Sequence, residues 1–347
     1  MNEKFTQLTG RTDFTVLGIE SSCDETAAAV VQGGRRLLAN IVASQIEIHR
    51  RFGGVVPEIA SRNHTLALPG IVDEALKAAG MRLSDIDAVA VTYGAGLIGA
   101  LLVGVSSAKA LSYALDIPLI KVNHIEAHIC ANYLEHSLEP PFIALVASGG
   151  HTSIVRVGGY NDYALLAATA DDAIGEAFDK VARLIGLGYP GGASVDRLAA
   201  GGRPSIKLTK HKQSFTDGNL SYSGLKTAVV NYVHTAKQRG EDINIPDLCA
   251  SFTVAAVDPL AEYAVSEAVK AGYGKIVLAG GVAANTYLRA RLKELGSAAG
   301  LEVYYPSPAL CTDNAAMVAC RGWYSAYEGR NAADLGLNAV SVLKVGE

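Results

Sequence analysis

The chain has 347 residues, 50% apolar and 18% charged, which suggests about two domains with a sizeable core and excludes both disorder and a disulfide-stapled miniature fold. Its 30 basic and 34 acidic side chains leave a net charge of −4 and a pI near 6.1, which is not the basic footprint of a chain that grips nucleic acid unaided. Five cysteines without a CxxC pair exclude a cysteine zinc knuckle and fit a reducing compartment.

The first segment, MNEKFTQLTGRTDF, has charges and no apolar centre, so no signal peptide is expected, and no role is assigned to its first dozen residues. Residues 14–31, FTVLGIESSCDETAAAVV, predict strand, small polar turn, strand. Glu20, Asp24 and Glu25 crowd that turn with Ser21, Ser22 and Thr26, and such carboxylates repel unless a metal, an amine or water engages them. An amphipathic helix is expected over 65–79, then strand, glycine turn and helix over 86–104. Residues 88–108 carry no charge, enough in length to span a bilayer. Gly94, Gly96, Gly99 and Gly104, with Asp87 and Lys109 closing the stretch, favour a buried strand, a turn and a buried helix instead.

In VNHIEAHICANYL, His124 and His128 stand at i, i+4 on one helix face. They read as a metal-ligand pair or as ordinary helix histidines. Glu126 is two positions on from His124, about 200° around the helix, so it does not reproduce the glutamate of a HExxH peptidase. Residues 142–157, FIALVASGGHTSIVRV, repeat the strand–turn–strand plan. The turn Ser148-Gly149-Gly150-His151 suits close approach to a ligand or a plain hairpin. Asp179, in IGEAFDKVARLIG, and Asp196, beyond Tyr189-Pro190-Gly191-Gly192, are carboxylates for ribose hydroxyls or members of solvated faces. The most loop-like stretch is 201–221, and a helix follows over about 246–271. Residues 274–295 again predict strand, glycine turn and helix, with Asn285 at a helix N-terminus where anions or nucleotides bind. This turn is not GxGxxG, so a Rossmann dinucleotide site is not expected. In SPALCTDNAAMVACRG, Asp313 is either a third metal ligand or, with Thr312, the N-cap of a helix over about 314–328.

The shared plan divides the chain into α/β halves, 1–135 and 136–347, whose last helix packs back on the first half. The cleft between them, where backbone N–H groups of two hairpin turns could hold a phosphate, is the expected site.

The segments GIESSCDETAAAVV, GGVVPEIASRNH, HIEAH, LVASGGHTSIV, DDAIGEAFDKVARLIGLGYPGG, SYSGLKTAV, LAGGVAANTYLR and CTDNAAMVA run in order over residues 14–325. Together they resemble the universal tRNA N6-adenosine threonylcarbamoyltransferases, once labelled O-sialoglycoprotein endopeptidases. The resemblance implies two actin/Hsp70-like (ribonuclease-H-like) halves with a cleft between them. It implies metal-assisted direct transfer of threonylcarbamoyl from threonylcarbamoyl-AMP to N6 of the adenosine 3′ of the anticodon, in tRNAs reading codons that begin with A, with release of AMP. One divalent metal per chain, iron(II) first and zinc(II) second, is implied at His124, His128 and Asp313. The donor is implied at Val146, Ala147, Ser148, Gly149, Gly150, Asp179, Gly192, Asp196 and Asn285, where ATP or ADP is an alternative occupant. Glu25, with Asp24, is the implied catalytic pair. Asn123, Ala127 and Ala147 depart from frequent family residues without removing a ligand.

The implied partners are tRNA, a paralogous subunit pairing through the N-terminal half, a small P-loop ATPase, and a separate synthase that supplies the adenylate. Alone, the chain is expected to self-associate; it is expected in the cytoplasm, with no membrane partner. Arg35-Arg36, Arg50-Arg51, Arg203, Lys207, Lys210 and Lys212 are the local basic spots, each a solvated loop residue or a tRNA contact. The rival readings are a carbamoyltransferase acting on a small molecule, a nucleotide-dependent scaffold and, last, an endopeptidase.

Overall fold

The computed structural model describes residues 3–208 and 219–347, so Lys210 and Lys212 lie outside the described residues. In chain order come α1 (Glu3–Thr6), β1 (Thr15–Glu20), β2 (Glu25–Gln32), β3 (Arg36–Ser44), α2 (Ile46–Arg50), α3 (Pro57–Ala79), β4 (Ala88–Gly94), α4 (Ile98–Leu115), β5 (Leu119–Asn123) and α5 (His124–Cys130). Next are β6 (Phe142–Ala147), β7 (Thr152–Gly159), β8 (Asp162–Thr169), α6 (Ile174–Leu184), α7 (Gly192–Ala199), β9 (Asn219–Leu220), α8 (Ser223–Arg239) and α9 (Ile245–Ala271). The rest are β10 (Lys275–Ala279), α10 (Thr286–Ala298), β11 (Glu302–Tyr304), α11 (Pro308–Cys311), α12 (Ala315–Tyr327) and β12 (Ala332–Ala333).

These elements gather into two compact units. The first holds the chain up to Pro140, the hairpin tip Val157–Ala164 and the run Ala309–Glu347; the second holds Pro141–Arg156 and Leu165–Pro308. The first sheet has the order β12-β5-β4-β1-β2-β3 and the second β11-β10-β6-β7-β8-β9. In the first, β1, β2 and β3 form antiparallel hairpins, while β4 lies parallel to β1 and β5 parallel to β4. In the second, β10 lies parallel to β6 and β11 parallel to β10. The repeat of pattern in the sequence is therefore a repeat of topology: three consecutive strands, then two parallel ones added on the far side of the first.

In the first unit every residue of β1 and β4 is buried, as in parallel strands covered on both faces. α12 lies so close to β1 that a Cβ on Gly18 would stand 2.7 Å from the Ala319 backbone nitrogen. On α3, Ala60, His64, Leu68, Val72 and Ala75 form the buried stripe, at the spacing of one helix face. Pro57 opens this helix and Gly80, at φ 67°, ends it, each where its backbone preference fits. The segment before β1 also packs: Phe5 and Leu8 are buried, and the Gly10 N–H donates to Tyr327 O at 2.9 Å.

The uncharged stretch 88–108 divides into β4, a turn and the first part of α4. Both α4 and α9 are long and apolar enough to cross a membrane by length and composition, but 67% of the α9 window is buried within the protein against 33% for α4. α9 is thus a core helix of the second unit. α4 keeps an apolar face uncovered by its own unit.

Candidate functional site

Asn123 starts α5: its Oδ1 accepts the Ile125 N–H at 3.0 Å and the Glu126 N–H at 3.5 Å, as an N-cap does. One helical turn then separates His124 from His128, with ring centroids 4.6 Å apart. Asp313 Oδ1 lies 3.1 Å from His128 Nε2 and 3.6 Å from His124 Nε2. One donor atom from each of the three residues falls within a 4.8 Å span. The helix after Asp313 is capped by its neighbour: Asn314 Oδ1 accepts the Met317 N–H at 3.0 Å. The cap expected at Thr312 or Asp313 is therefore at Asn314, and the Asp313 carboxylate faces the histidines.

Behind His124, Nδ1 stands 3.2 Å from Glu20 Oε2 and 3.2 Å from Ser22 Oγ. Glu20 is itself fixed, accepting the Thr92 hydroxyl at 2.7 Å and the Ser22 N–H at 2.6 Å. This network has Nδ1 donating to Glu20 and turns the Nε2 edge of the ring toward Asp313. Carboxylate-backed histidines of this kind are the usual support of metal ligands. Burial alone would lower His124, but Asp313 and Glu20 outweigh it and push the ring up to about 9. Burial alone would raise Glu20; His124 outweighs it and holds that carboxyl below its ordinary range.

The residues fit a divalent metal. His128 is 1% exposed, yet among the described residues neither ring nitrogen finds a hydrogen bond, a costly state for a buried polar group unless something else engages it. Donor atoms sharing a cation at about 2.1 Å stand roughly 3.0–3.4 Å apart; the 3.1 Å separation falls in that range and the 3.6 Å one lies just beyond it. The surroundings carry surplus negative charge. Burial, then Asp313 and Asp24, push the Glu25 carboxyl up to about 9, a repulsion that a cation would relieve. Two imidazoles and one carboxylate suit iron or zinc.

The acidic turn of residues 20–26 has a support that the sequence reading missed. His64, buried on α3, meets Thr26 Oγ1 at 2.7 Å through Nδ1 and donates from Nε2 to Cys23 O at 3.0 Å. Burial holds its ring below the ordinary range. The available signal was a histidine on the apolar stripe of a helix, which spacing alone cannot tell from a packed core residue. Asp24 is buried, and Glu25 Oε1 accepts the Ser44 hydroxyl at 3.0 Å.

The second unit draws together the other expected residues. Val146 and Ala147 end β6, and Ser148-Gly149-Gly150 turn the chain into β7. Gly280 lies against this segment: a Cβ there would stand 2.8 Å from Ala147 C, and its φ is +91°, a conformation open chiefly to glycine. Gly175 likewise presses on the turn, its N–H donating to Ser148 O at 3.2 Å. Asp179 Oδ1 accepts the Gly191 N–H at 2.7 Å and the Gly192 N–H at 3.3 Å, and burial raises its carboxyl. Asp196 accepts the Thr286 hydroxyl at 2.9 Å and the Thr286 N–H at 3.1 Å. Next to it Asn285 caps α10, its Oδ1 accepting the Leu288 N–H at 2.8 Å.

Some of the basic spots have partners within the chain. Arg35 donates to the carbonyls of His136 at 2.7 Å and Leu138 at 2.6 Å, so the fold accounts for this guanidinium. Arg50 pairs with Glu47 at 2.8 Å and Arg36 donates to Gln32 at 3.2 Å.

Comparison with known proteins follows this geometry. A family model described as TsaD: tRNA N6-adenosine threonylcarbamoyltransferase matches residues 36–320. A tRNA N6-adenosine threonylcarbamoyltransferase of Clostridium perfringens strain SM101 is 52% identical over 336 residues, covering 96% of this chain and 98% of the relative. One from Clostridioides difficile strain 630 is 50% identical over 337 residues, covering 96% and 99%. Among solved structures, full-length HypF in a phosphate- and nucleotide-bound form superposes with TM-score 0.62 at 16% identity over 92% of this chain. The chain spans about half of HypF, 47% of its length. Component A of the Acidaminococcus fermentans (R)-2-hydroxyglutaryl-CoA dehydratase gives TM-score 0.53 at 16% identity, covering 90% of this chain and 99% of that one. These likenesses show the fold alone, the doubled actin/Hsp70-like α/β plan. Identity at 52% over nearly full length, with the matched family model, shows that the chain belongs to the tRNA N6-adenosine threonylcarbamoyltransferases.

Proposed function

We propose that this transferase takes the threonylcarbamoyl group of threonylcarbamoyl-AMP and passes it to N6 of the adenosine 3′ of the anticodon, in tRNAs reading codons that begin with A. The observation that carries the reading is the convergence of His124, His128 and Asp313, with Glu20 backing His124, in a member of that family.

The donor is a mixed carbamic–phosphoric anhydride. The adenine amine attacks its carbonyl carbon, the new C–N bond forms, the C–O bond to phosphate breaks, and AMP leaves with the electron pair. The amine is a weak nucleophile, so the chain must hold it in line and accept its proton. We assign that proton to Glu25 or Asp24, adjacent carboxylates of the turn after β1. Burial with the neighbouring Asp313 and Asp24 holds the Glu25 carboxyl at about 9; a cation at His124, His128 and Asp313 would bring it down toward the range of a general base near neutral pH. Bound at His124, His128 and Asp313, a divalent metal, iron(II) before zinc(II), would supply Lewis-acid or template chemistry toward the donor's oxygens.

The adenosine half of the donor falls to the second unit. Asp179 and Asp196 serve the ribose hydroxyls, while the turn Val146–Gly150 with Gly192 and Asn285 offers backbone and amide donors. ATP or ADP is an alternative occupant of the same residues. Asp179→Ala is expected to weaken binding of a non-hydrolysable adenylate analogue by about 10–100-fold, the value of one charged hydrogen bond. Unchanged affinity by calorimetry would remove Asp179 from the donor site.

The partners belong to the same reading: tRNA, a paralogous subunit on the first unit, a small P-loop ATPase and a synthase for the adenylate, all in the cytoplasm. Five free cysteines agree with that compartment. The deciding assay supplies the protein and its partners with threonylcarbamoyl-AMP and unmodified tRNA, then digests the tRNA to nucleosides. Modified adenosine is expected together with AMP; AMP release without it would point to a small-molecule acceptor instead.

A further inference from the structure

The glutamate between the two histidines has no part in the chemistry above. Glu126 is 4% exposed and faces away from the His124–His128 edge, as a step of two residues dictates. There it meets Arg321 of α12, itself 2% exposed. Glu126 Oε2 accepts from Arg321 Nε at 2.9 Å and Nη2 at 2.8 Å. Its other oxygen, Oε1, accepts the Gly346 N–H at 3.0 Å. One residue before α5, Asn123 Nδ2 donates to Lys344 O at 2.8 Å. Arg321 is held from behind by Asn161 Oδ1 at 2.8 Å and covered by the Tyr163 ring, 5.0 Å from centroid to guanidinium.

We propose that Glu126, through Arg321 and the 344–346 segment, is a positioning residue for the metal-ligand set, a reading that rests on the metal assignment above. The three ligands come from two segments: both histidines from α5, and Asp313 from the residues that lead into α12. Glu126 lies midway between the histidines, so its tether sets the rotation of α5 about its own axis and moves both rings together. Arg321 lies about two turns into α12, so the tether refers that rotation to the helix that anchors Asp313. Ligand distances must hold within about 0.2 Å for a competent site, and a seven-residue helix has little length over which to fix its own orientation. A buried ion pair gives little net stability over a well-packed apolar pair. Its directional, two-pronged geometry is what an apolar pair would lack.

The test uses Co(II) as the probe, with full-length metal-free protein, competition against a chelator for affinity and the visible d–d band for coordination geometry. Wild type is expected to bind about one Co(II); if it binds none, the metal assignment fails and not the tether. Glu126→Leu/Arg321→Met replaces the pair by apolar side chains and leaves no lone buried charge. It is expected to melt close to wild type while losing about 10–100-fold in Co(II) affinity, with a shifted d–d band. Wild-type affinity and an unchanged band in the folded double variant would overturn the proposal. Should that variant fail to fold, Glu126→Gln decides. It keeps an acceptor for Gly346 and removes the charge that orients Arg321, so weaker Co(II) binding supports the tether and a spectrum and affinity identical to wild type overturn it.

Discussion

In His128→Ala, metal content is expected to fall from about one per chain to background, and single-turnover transfer to tRNA to fall on the order of a thousandfold. That loss corresponds to about 4 kcal/mol of transition-state stabilisation, within the several kcal/mol that a metal contributes to such chemistry. His128 separates ligation from folding better than the other ligands do. His124 also holds Glu20 and Ser22, so its loss would strip partners from a buried carboxylate. Among the described residues His128 makes no hydrogen bond through either ring nitrogen, and its removal takes a neighbour only from Asp313, a half-buried carboxylate. The variant should therefore melt cooperatively, a few degrees below wild type. Asp313→Asn is expected to bind metal more weakly without losing it, because the amide oxygen remains a neutral donor at the same place. Full metal occupancy in His128→Ala, by elemental analysis of protein passed over a chelating resin, would show that the ligand set is wrong.

The architecture was legible in the sequence because strand, turn and helix repeat in each half with apolar runs of the right length. The site was legible only as fragments. The shared face of His124 and His128 follows from helical spacing, and the same arithmetic turned Glu126 away from it. What Glu126 turns toward was not legible, because Arg321 lies 195 positions further along. Glu20 was visible as one of three crowded carboxylates, but its hold on His124 spans 104 positions. At the start of α12 the expected cap was Thr312 or Asp313; the fold gives the cap to Asn314 and leaves Asp313 to the histidines. Arg35 read as a solvated loop residue or a tRNA contact, and the carbonyls of residues 136 and 138 claim it. Ser148–Gly150, Asp179, Asp196 and Asn285 were open to a ligand or a plain structural reading from the residues alone, and only the family resemblance chose between them, since glycine turns and lone carboxylates of this kind occur in many folds without a ligand.

Turnover on tRNA is expected to depend on a partner that covers α3 and α4. A net charge of −4 provides few of the phosphate contacts on which tRNA affinity rests, and Arg35, Arg36 and Arg50 of the basic spots already have partners within the chain. At the same time Leu66 on α3 is 81% exposed, and Ile98 and Leu102 on α4 are 48% and 40% exposed. The α4 window is only 33% buried, an apolar helix face of the kind that marks a protein contact. A paralogous subunit presenting a similar helix pair would bury those side chains and add its own basic surface. A second copy of this chain would bury them when the partner is absent. Leu66→Asp/Leu102→Asp places charges on that face without touching the buried stripe of α3, so the fold and metal content should remain as in wild type. The double variant should run as a monomer at sedimentation equilibrium and lose about 2–4 kcal/mol of partner affinity, a factor of about 30–1,000. With partners present at physiological salt, its multiple-turnover rate should drop to that of the isolated chain. Two results would refute this dependence: equal rates for wild type with and without partners, or a double variant that still responds fully to them. Either would mean that this chain carries its own tRNA surface and that the apolar face of α4 serves another purpose.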